Sequence, residues 1–320
     1  MKVQVVGFGG LGRNLLRLIN EKNGMIVNSF GEKIDVVSVS DRSGTVVTDG
    51  MPLTRIIQAK ESEGLKALDS FEKMSALSAI RDVEADVVVE LTNSTSDGHP
   101  GIDHIMRAFE EGKNAVTANK STLIVEPNIM KVAREMRMDL RYEATVCGGI
   151  PVFNLMDYSI RPSRIRGVDG IFNATSSFVI SKMEEGNSLE EAIADATRIG
   201  LAEKEPRDDL EGIDSARKGT ILHRRVFDSD FSIKDADISS SVKEMAPGRR
   251  QVTVVGDRGV KVEYSAIKKG DIFGNVRGAS MIIRFDTDTF DHITLFTDHD
   301  GPLESAAGVL NDILLMMRDR

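Results

Sequence analysis

The stretch Glu203 to Lys218, EKEPRDDLEGIDSARK, puts ten ionisable side chains in sixteen positions and confines apolar ones to Leu210, Ile213 and Ala216. Such density has two readings. A solvated helix start accounts for part of it: Asp208 with Glu211 three residues on fits a capping box, and acidic residues suit the positive end of a helix. The rival reading turns Asp214 and Lys218, four apart and so on one helical face, into a cleft. A lysine there can give a proton to a forming alkoxide when desolvation or a second cation lowers its pKa. The second lysine on offer is Lys120, just beyond the run NAVTAN; a solvated loop lysine is the competing reading. In an open α/β sheet, ligands gather at the carboxyl ends of strands. By the same rule ELTNST brings Thr92 and Asn93 into consideration, and Asn119 precedes the lysine. The five histidines (His99, His104, His223, His292 and His299) show no metal-ligand spacing and read as surface or capping residues.

These groups need a scaffold, and the first half of the chain supplies its rhythm. KVQVV, IDVVSVS, ADVVVEL, KNAVTAN and DLRYEA alternate with helical patterns, which predicts a parallel sheet with crossover helices. Gly7, Gly9 and Gly12 stand in G-x-G-x-x-G register after the first strand and before a helix. That context predicts a dinucleotide site: a tight turn, close approach of the pyrophosphate, then close packing of helix on strand. Asp41 and Arg42 end the second strand, where an adenosine ribose would lie. Their distance from the glycines exceeds the usual ~20 residues, which the sequence explains by an insertion, NGMIVNSFGEK. In the DRSG turn Asp41 has two options, a ribose hydroxyl or its own backbone. After GGIP, RQVTVVG, VKVEYSAI, ASMIIRF and HITLFT predict a more antiparallel α+β domain. Ser188 with Glu191 opens a helix that Gly200 stops, and Ala307, Leu310, Ile313 and Leu314 mark a stripe on a final helix.

Composition sets further limits. The 320 residues suffice for two domains, and a net charge of -9 with a pI near 5.2 argues against nucleic acid. Tyr142, Tyr158 and Tyr264 are the only tyrosines, and tryptophan is absent. Cys147, the single cysteine, excludes an intrachain disulfide and a cysteine-cluster metal site. MKVQVVGFGG lacks the apolar core of a signal peptide, and no apolar run approaches the ~20 residues of a membrane span. The expectation is a cytoplasmic protein without a membrane segment.

GFGGLG, ELTNST, TANK, YEATVCGGIP and EPRDDLEGIDSARK together resemble the homoserine dehydrogenase family, along the whole chain and in its short form, without a fused aspartate kinase or regulatory module. The resemblance implies an α/β Rossmann-type domain over residues 1–147. An α+β substrate and dimerisation domain would follow over 148–300, with a C-terminal helix, 301–320, returning to the Rossmann domain. It implies NAD(P)-dependent interconversion of aspartate 4-semialdehyde and L-homoserine, in threonine and methionine biosynthesis, by a homodimer.

The resemblance also implies roles. Gly7, Gly9, Gly10, Leu11 and Gly12 would hold the pyrophosphate, with Asp41, Arg42, Thr92, Asn93 and Gly301 along the cofactor and Lys120 at nicotinamide and substrate. Glu203, Asp209 and Asp214 would bind the amino group, and Lys218 would move the proton. Backbone carbonyls of Glu143, Val146, Gly148 and Ile150 would hold a monovalent cation such as Na+. NADP is the expected cofactor, with NAD the alternative, because Arg42 can fork onto a 2'-phosphate. Two other readings stay in play: an aspartate-semialdehyde type aldehyde dehydrogenase using Cys147, and a non-catalytic dinucleotide sensor.

Overall fold

Apolar runs of four to seven residues become the strands of the first sheet because both of its faces are covered. The computed structural model describes residues 1–202, 205–268 and 270–318. Two compact units emerge, one of residues 1–145 and 302–320, the other of residues 146–301.

In the first unit the strands are β1 (Lys2–Val6), β2 (Asp35–Asp41), β3 (Gly44–Val47), β4 (Phe71–Glu72), β5 (Val87–Glu90), β6 (Asn114–Thr117) and β7 (Leu140–Arg141). Its helices are α1 (Gly10–Phe30), α2 (Leu53–Ser62), α3 (Ala76–Asp82), α4 (Gly101–Glu110), α5 (Lys120–Val125) and α6 (Ile129–Glu135). The sheet order is β4-β3-β2-β1-β5-β6-β7. β1 pairs in parallel with β2 and with β5, so the strand order reverses beside β1 and opens a crevice at the carboxyl ends. The five expected strands form the parallel part. β3 and β4 add an antiparallel edge that the sequence analysis did not anticipate, with β3 folding back on β2 through the turn at Arg42 and Ser43. The supposed insertion is also corrected. Residues 23–30 continue α1, anchored by fully buried Ile26, and the helix ends at Gly31 in the left-handed region. A helix of 21 residues is what lengthens the interval.

The second unit holds β8 (Ile165–Ile171), β9 (Asp237–Ile238), β10 (Arg249–Gly256), β11 (Gly259–Ala266), β12 (Met281–Thr287) and β13 (Asp291–Thr297) in the order β13-β12-β8-β10-β11-β9. All neighbours are antiparallel except β9 and β11. Its helices are α7 (Val152–Asn154), α8 (Ala174–Glu184), α9 (Leu189–Arg198), α10 (Arg207–Leu210) and α11 (Ile213–Phe227). Ser188 and Glu191 form the capping box of α9. α11 lies so close to the sheet that a Cβ on Gly219 would meet Val260 Cγ1 at 2.6 Å.

The last helix, α12 (Pro302–Arg318), belongs to the first unit and shares a core with α1. Its buried stripe is Ala306, Val309, Leu310, Ile313, Met316 and Met317; Ala307 faces solvent, one position off the expected stripe.

Candidate active site

The glycine turn works through missing side chains. Gly7 has φ +97°, and a Cβ there would fall within 2.5–2.6 Å of the Leu91–Thr92 backbone. A Cβ on Gly12 would meet Gly7 O at 2.9 Å, so the third glycine lets α1 start against the turn. Gly9 and Gly10 have nothing within 4 Å, which leaves the start of α1, with Leu11, open to an anion. The cavity beside this turn measures about 870 Å³ and is walled by Gly7, Gly9, Ser40 to Ser43, Lys60, Leu91 to Asn93 and His104.

At the end of β2, Asp41 turns into its own loop. Its Oδ1 accepts from the Ser43 amide (2.7 Å) and hydroxyl (2.6 Å), and Lys60 Nζ pairs with Oδ2 at 2.5 Å. Burial would raise this carboxyl, but the hydrogen bonds from Lys60 and Ser43 outweigh it and hold the group below its usual range. Arg42 is exposed and lines the same cavity. Lys60 was missed by sequence reasoning, since nothing in the spacing of α2 points toward the end of β2.

At the ends of β5 and β6, Thr92 and Asn119 meet. Asn119 caps α5 by accepting from the Ser121 amide (3.1 Å), and its Nδ2 donates to Thr92 Oγ1 (3.3 Å) and to Asn93 O (3.4 Å). Lys120 is the first residue of that helix. The surface reading of His104 and His223 is corrected. His104 is 5% exposed and sits 2.6 Å from Glu90 Oε2, whereas His223 is buried against Phe227 and Phe231. His99, His292 and His299 are exposed.

In the second unit the charged stretch divides. Asp208 pairs with Arg217 and Arg207 with Glu211 on the solvated side. The expected capping box does not form, because Pro206 precedes α10 and Gly212, in the left-handed region, separates it from α11. The inward side is different. Asp214 and Lys218, 9% and 8% exposed, pair at 2.8 Å, and Lys218 Nζ donates to the Phe172 carbonyl at 2.5 Å. Asn173, the cap of α8, donates to Asp209 Oδ1 (2.7 Å) and Asp214 Oδ2 (3.1 Å), drawing the two carboxylates together. Gln251 in turn donates to the Asp209 carbonyl (2.9 Å), and Tyr264 donates to the Leu210 carbonyl (2.8 Å), fixing the turn between the helices. Asn173, Gln251 and Tyr264 carried no sequence signal. Glu203 lies outside the described residues.

The electrostatics correct one expectation. Burial pulls the Lys218 ammonium downward, but Asp214 first, then Cys147 and Asp300, more than offset it, and the net pKa is raised rather than lowered. Asp209 is pushed up, first by burial and then by Asp214 beside it. Cys147 is fully buried at φ +49°, a geometry that offers no open nucleophile. Gly301 stands one residue before α12, and Glu143 lies in the first unit, with Val146, Gly148 and Ile150 in the second.

A glycine turn at the switch point of a parallel sheet has the form of a dinucleotide site. The homoserine dehydrogenase family profile matches residues 151–314, and that of its NAD-binding domain matches residues 7–143. The homoserine dehydrogenase of Methanocaldococcus jannaschii is 31% identical over 98% of each chain. The NAD(+)-dependent homoserine dehydrogenase of Pseudomonas canavaninivorans is 29% identical over 98% of this chain and 95% of its own. A hyperthermophilic archaeal homoserine dehydrogenase solved with NADPH superposes with a TM-score of 0.88 at 26% identity, covering 100% and 98% of the two chains. The chain belongs to the homoserine dehydrogenase family, enzymes that oxidise a CH–OH group with NAD(P). That membership displaces the readings of an aldehyde dehydrogenase and of a non-catalytic sensor.

Proposed function

We propose that Lys218 is the proton donor when aspartate 4-semialdehyde is reduced to L-homoserine, and the acceptor when homoserine is oxidised. The observation that carries this is a buried ammonium held by one carboxylate and one carbonyl at the inward face of α11. When bound, the reduced nicotinamide supplies the hydride that becomes the new C–H bond of the alcohol. Lys218 supplies the proton for its oxygen, and Lys120 assists the transfer. Asn173 donates to both Asp209 and Asp214, and Lys218 pairs with Asp214, so two carboxylates and an ammonium are gathered at one place. By resemblance these two carboxylates and Glu203 take the substrate α-ammonium.

The same charge exchange sets the proton's availability. A raised pKa keeps Lys218 protonated near neutrality, which suits reduction. An ammonium docked on Asp209 and Asp214 offsets their pull and brings the lysine down, so it can also act as a base.

For the cofactor we favour NADP. Asp41 is engaged by Ser43 and Lys60 rather than turned to a ribose, and Arg42 and Lys66 line the same cavity. The reading includes a cytoplasmic homodimer in threonine and methionine biosynthesis. Dimerisation through the second unit is carried over by resemblance. The monovalent cation is carried over to the carbonyls of Glu143, Val146, Gly148 and Ile150.

The test is aspartate 4-semialdehyde with NADPH and with NADH, followed at the nicotinamide absorbance. Consumption of reduced cofactor with homoserine as product is expected, faster with NADPH. No consumption of either cofactor refutes the assignment.

A further inference from the structure

We propose that Glu90 and His104 form a positioning pair for the dinucleotide, acting through Thr92; the proposal rests on the cavity of the first unit being the cofactor site. Glu90 ends a strand whose other residues are all valine, and it has no solvent exposure. Burying a carboxyl there is unfavourable unless both oxygens find partners, and a fourth valine would complete the strand without that cost. Both oxygens do find partners. Oε1 accepts from the Thr92 amide at 2.8 Å and from the Thr92 hydroxyl, and Oε2 faces Nδ1 of buried His104 at 2.6 Å.

The segment so held is a wall of the cavity. The Leu91–Thr92 peptide is the surface on which Gly7 packs, and Asn119 reaches Thr92 Oγ1 and Asn93 O. His104 comes from α4 and also lines the cavity. One carboxylate therefore ties the ends of β5 and α4 to the peptide that abuts the glycine turn. Its effect belongs to cofactor affinity and not to proton transfer.

The experiment titrates NADPH fluorescence in the full-length protein and measures the KM for homoserine at saturating cofactor. Glu90→Ala should raise the Kd for NADPH about 10- to 100-fold, the scale of losing hydrogen bonds to a charged group. Glu90→Gln keeps an acceptor for Thr92 and an amide for His104, so its Kd should stay within about threefold of wild type. The KM for homoserine should move less than about twofold in both variants. If Glu90→Ala does not fold, His104→Ala carries the test with an expected rise of about 3- to 10-fold. An unchanged Kd in the alanine variants overturns the proposal, as does a folded Gln variant as weak as Ala. Failure of the wild type to bind NADPH would instead refute the cofactor site itself.

Discussion

The glycine turn after β1 and the inward face of α11 are built by opposite means for the ligands proposed for them. Around Gly7 and Gly12 a single added carbon would strike backbone at 2.5–2.9 Å, so the turn is shaped by atoms left out. Around Lys218 the carboxylates of Asp209 and Asp214 are crowded together under Asn173, so the site is shaped by charge brought in. A pyrophosphate needs backbone N–H groups within reach, and steric absence provides that. A zwitterion with a reacting oxygen needs both signs of charge close together, which a buried ion cluster provides. The difference predicts that substitutions in the first region act on shape, and that those in the second act on charge and pH.

The sharpest break is Gly7→Ala. Positive φ and backbone overlap together should cost about 2–6 kcal/mol, a large part of a domain's stability, and thermal unfolding would register it. Gly9→Ala separates shape from stability. With nothing within 4 Å of its Cβ, the melting temperature should hold within about 3 °C while NADPH weakens at least about tenfold. Equal loss of stability in both variants would erase the distinction.

Charge is tested next by Asp214→Asn. Asp214 helps hold Lys218 above its usual pKa, so its loss lets the lysine deprotonate at lower pH. The pH profile of homoserine oxidation should shift toward acid, and the KM for homoserine should rise about 10- to 100-fold. An unmoved profile would detach Lys218 from the chemistry. On the cofactor side, Arg42→Ala should weaken NADPH by about 10- to 100-fold and leave NADH within roughly threefold, read as the ratio of kcat/KM values. An unchanged ratio removes Arg42 from the phosphate site. The smallest effect belongs to Cys147→Ser, which should keep turnover within roughly threefold, whereas a nucleophile would lose nearly all of it.

What was legible in the chain follows the same division. The glycine spacing and five of the first unit's strands could be read because they depend on local pattern and on a turn that only glycine tolerates. Asp214 and Lys218 were legible as an i, i+4 pair, but the fate of Asp208 and Glu211 was not, because Pro206 and Gly212 broke the helix that a capping box presumes. The extension of α1 past Asn23 and Gly24 was hidden by weak helix formers, with the burial of Ile26 outweighing their propensity. Lys60, Asn173, Gln251 and Tyr264 depend on tertiary placement and left no local mark. Glu90 did leave one: a carboxylate closing an apolar run in a parallel strand asks where its partners are, and His104 and Thr92 are the answer.

The most direct test of this division of labour is Lys218→Ala, measured twice on the same protein. Turnover of aspartate 4-semialdehyde should fall about 10²- to 10⁴-fold, the scale of losing a general acid. The Kd for NADPH from fluorescence titration should stay within about twofold of wild type. Near-normal turnover, or a loss of cofactor affinity matching the loss of rate, would contradict the account.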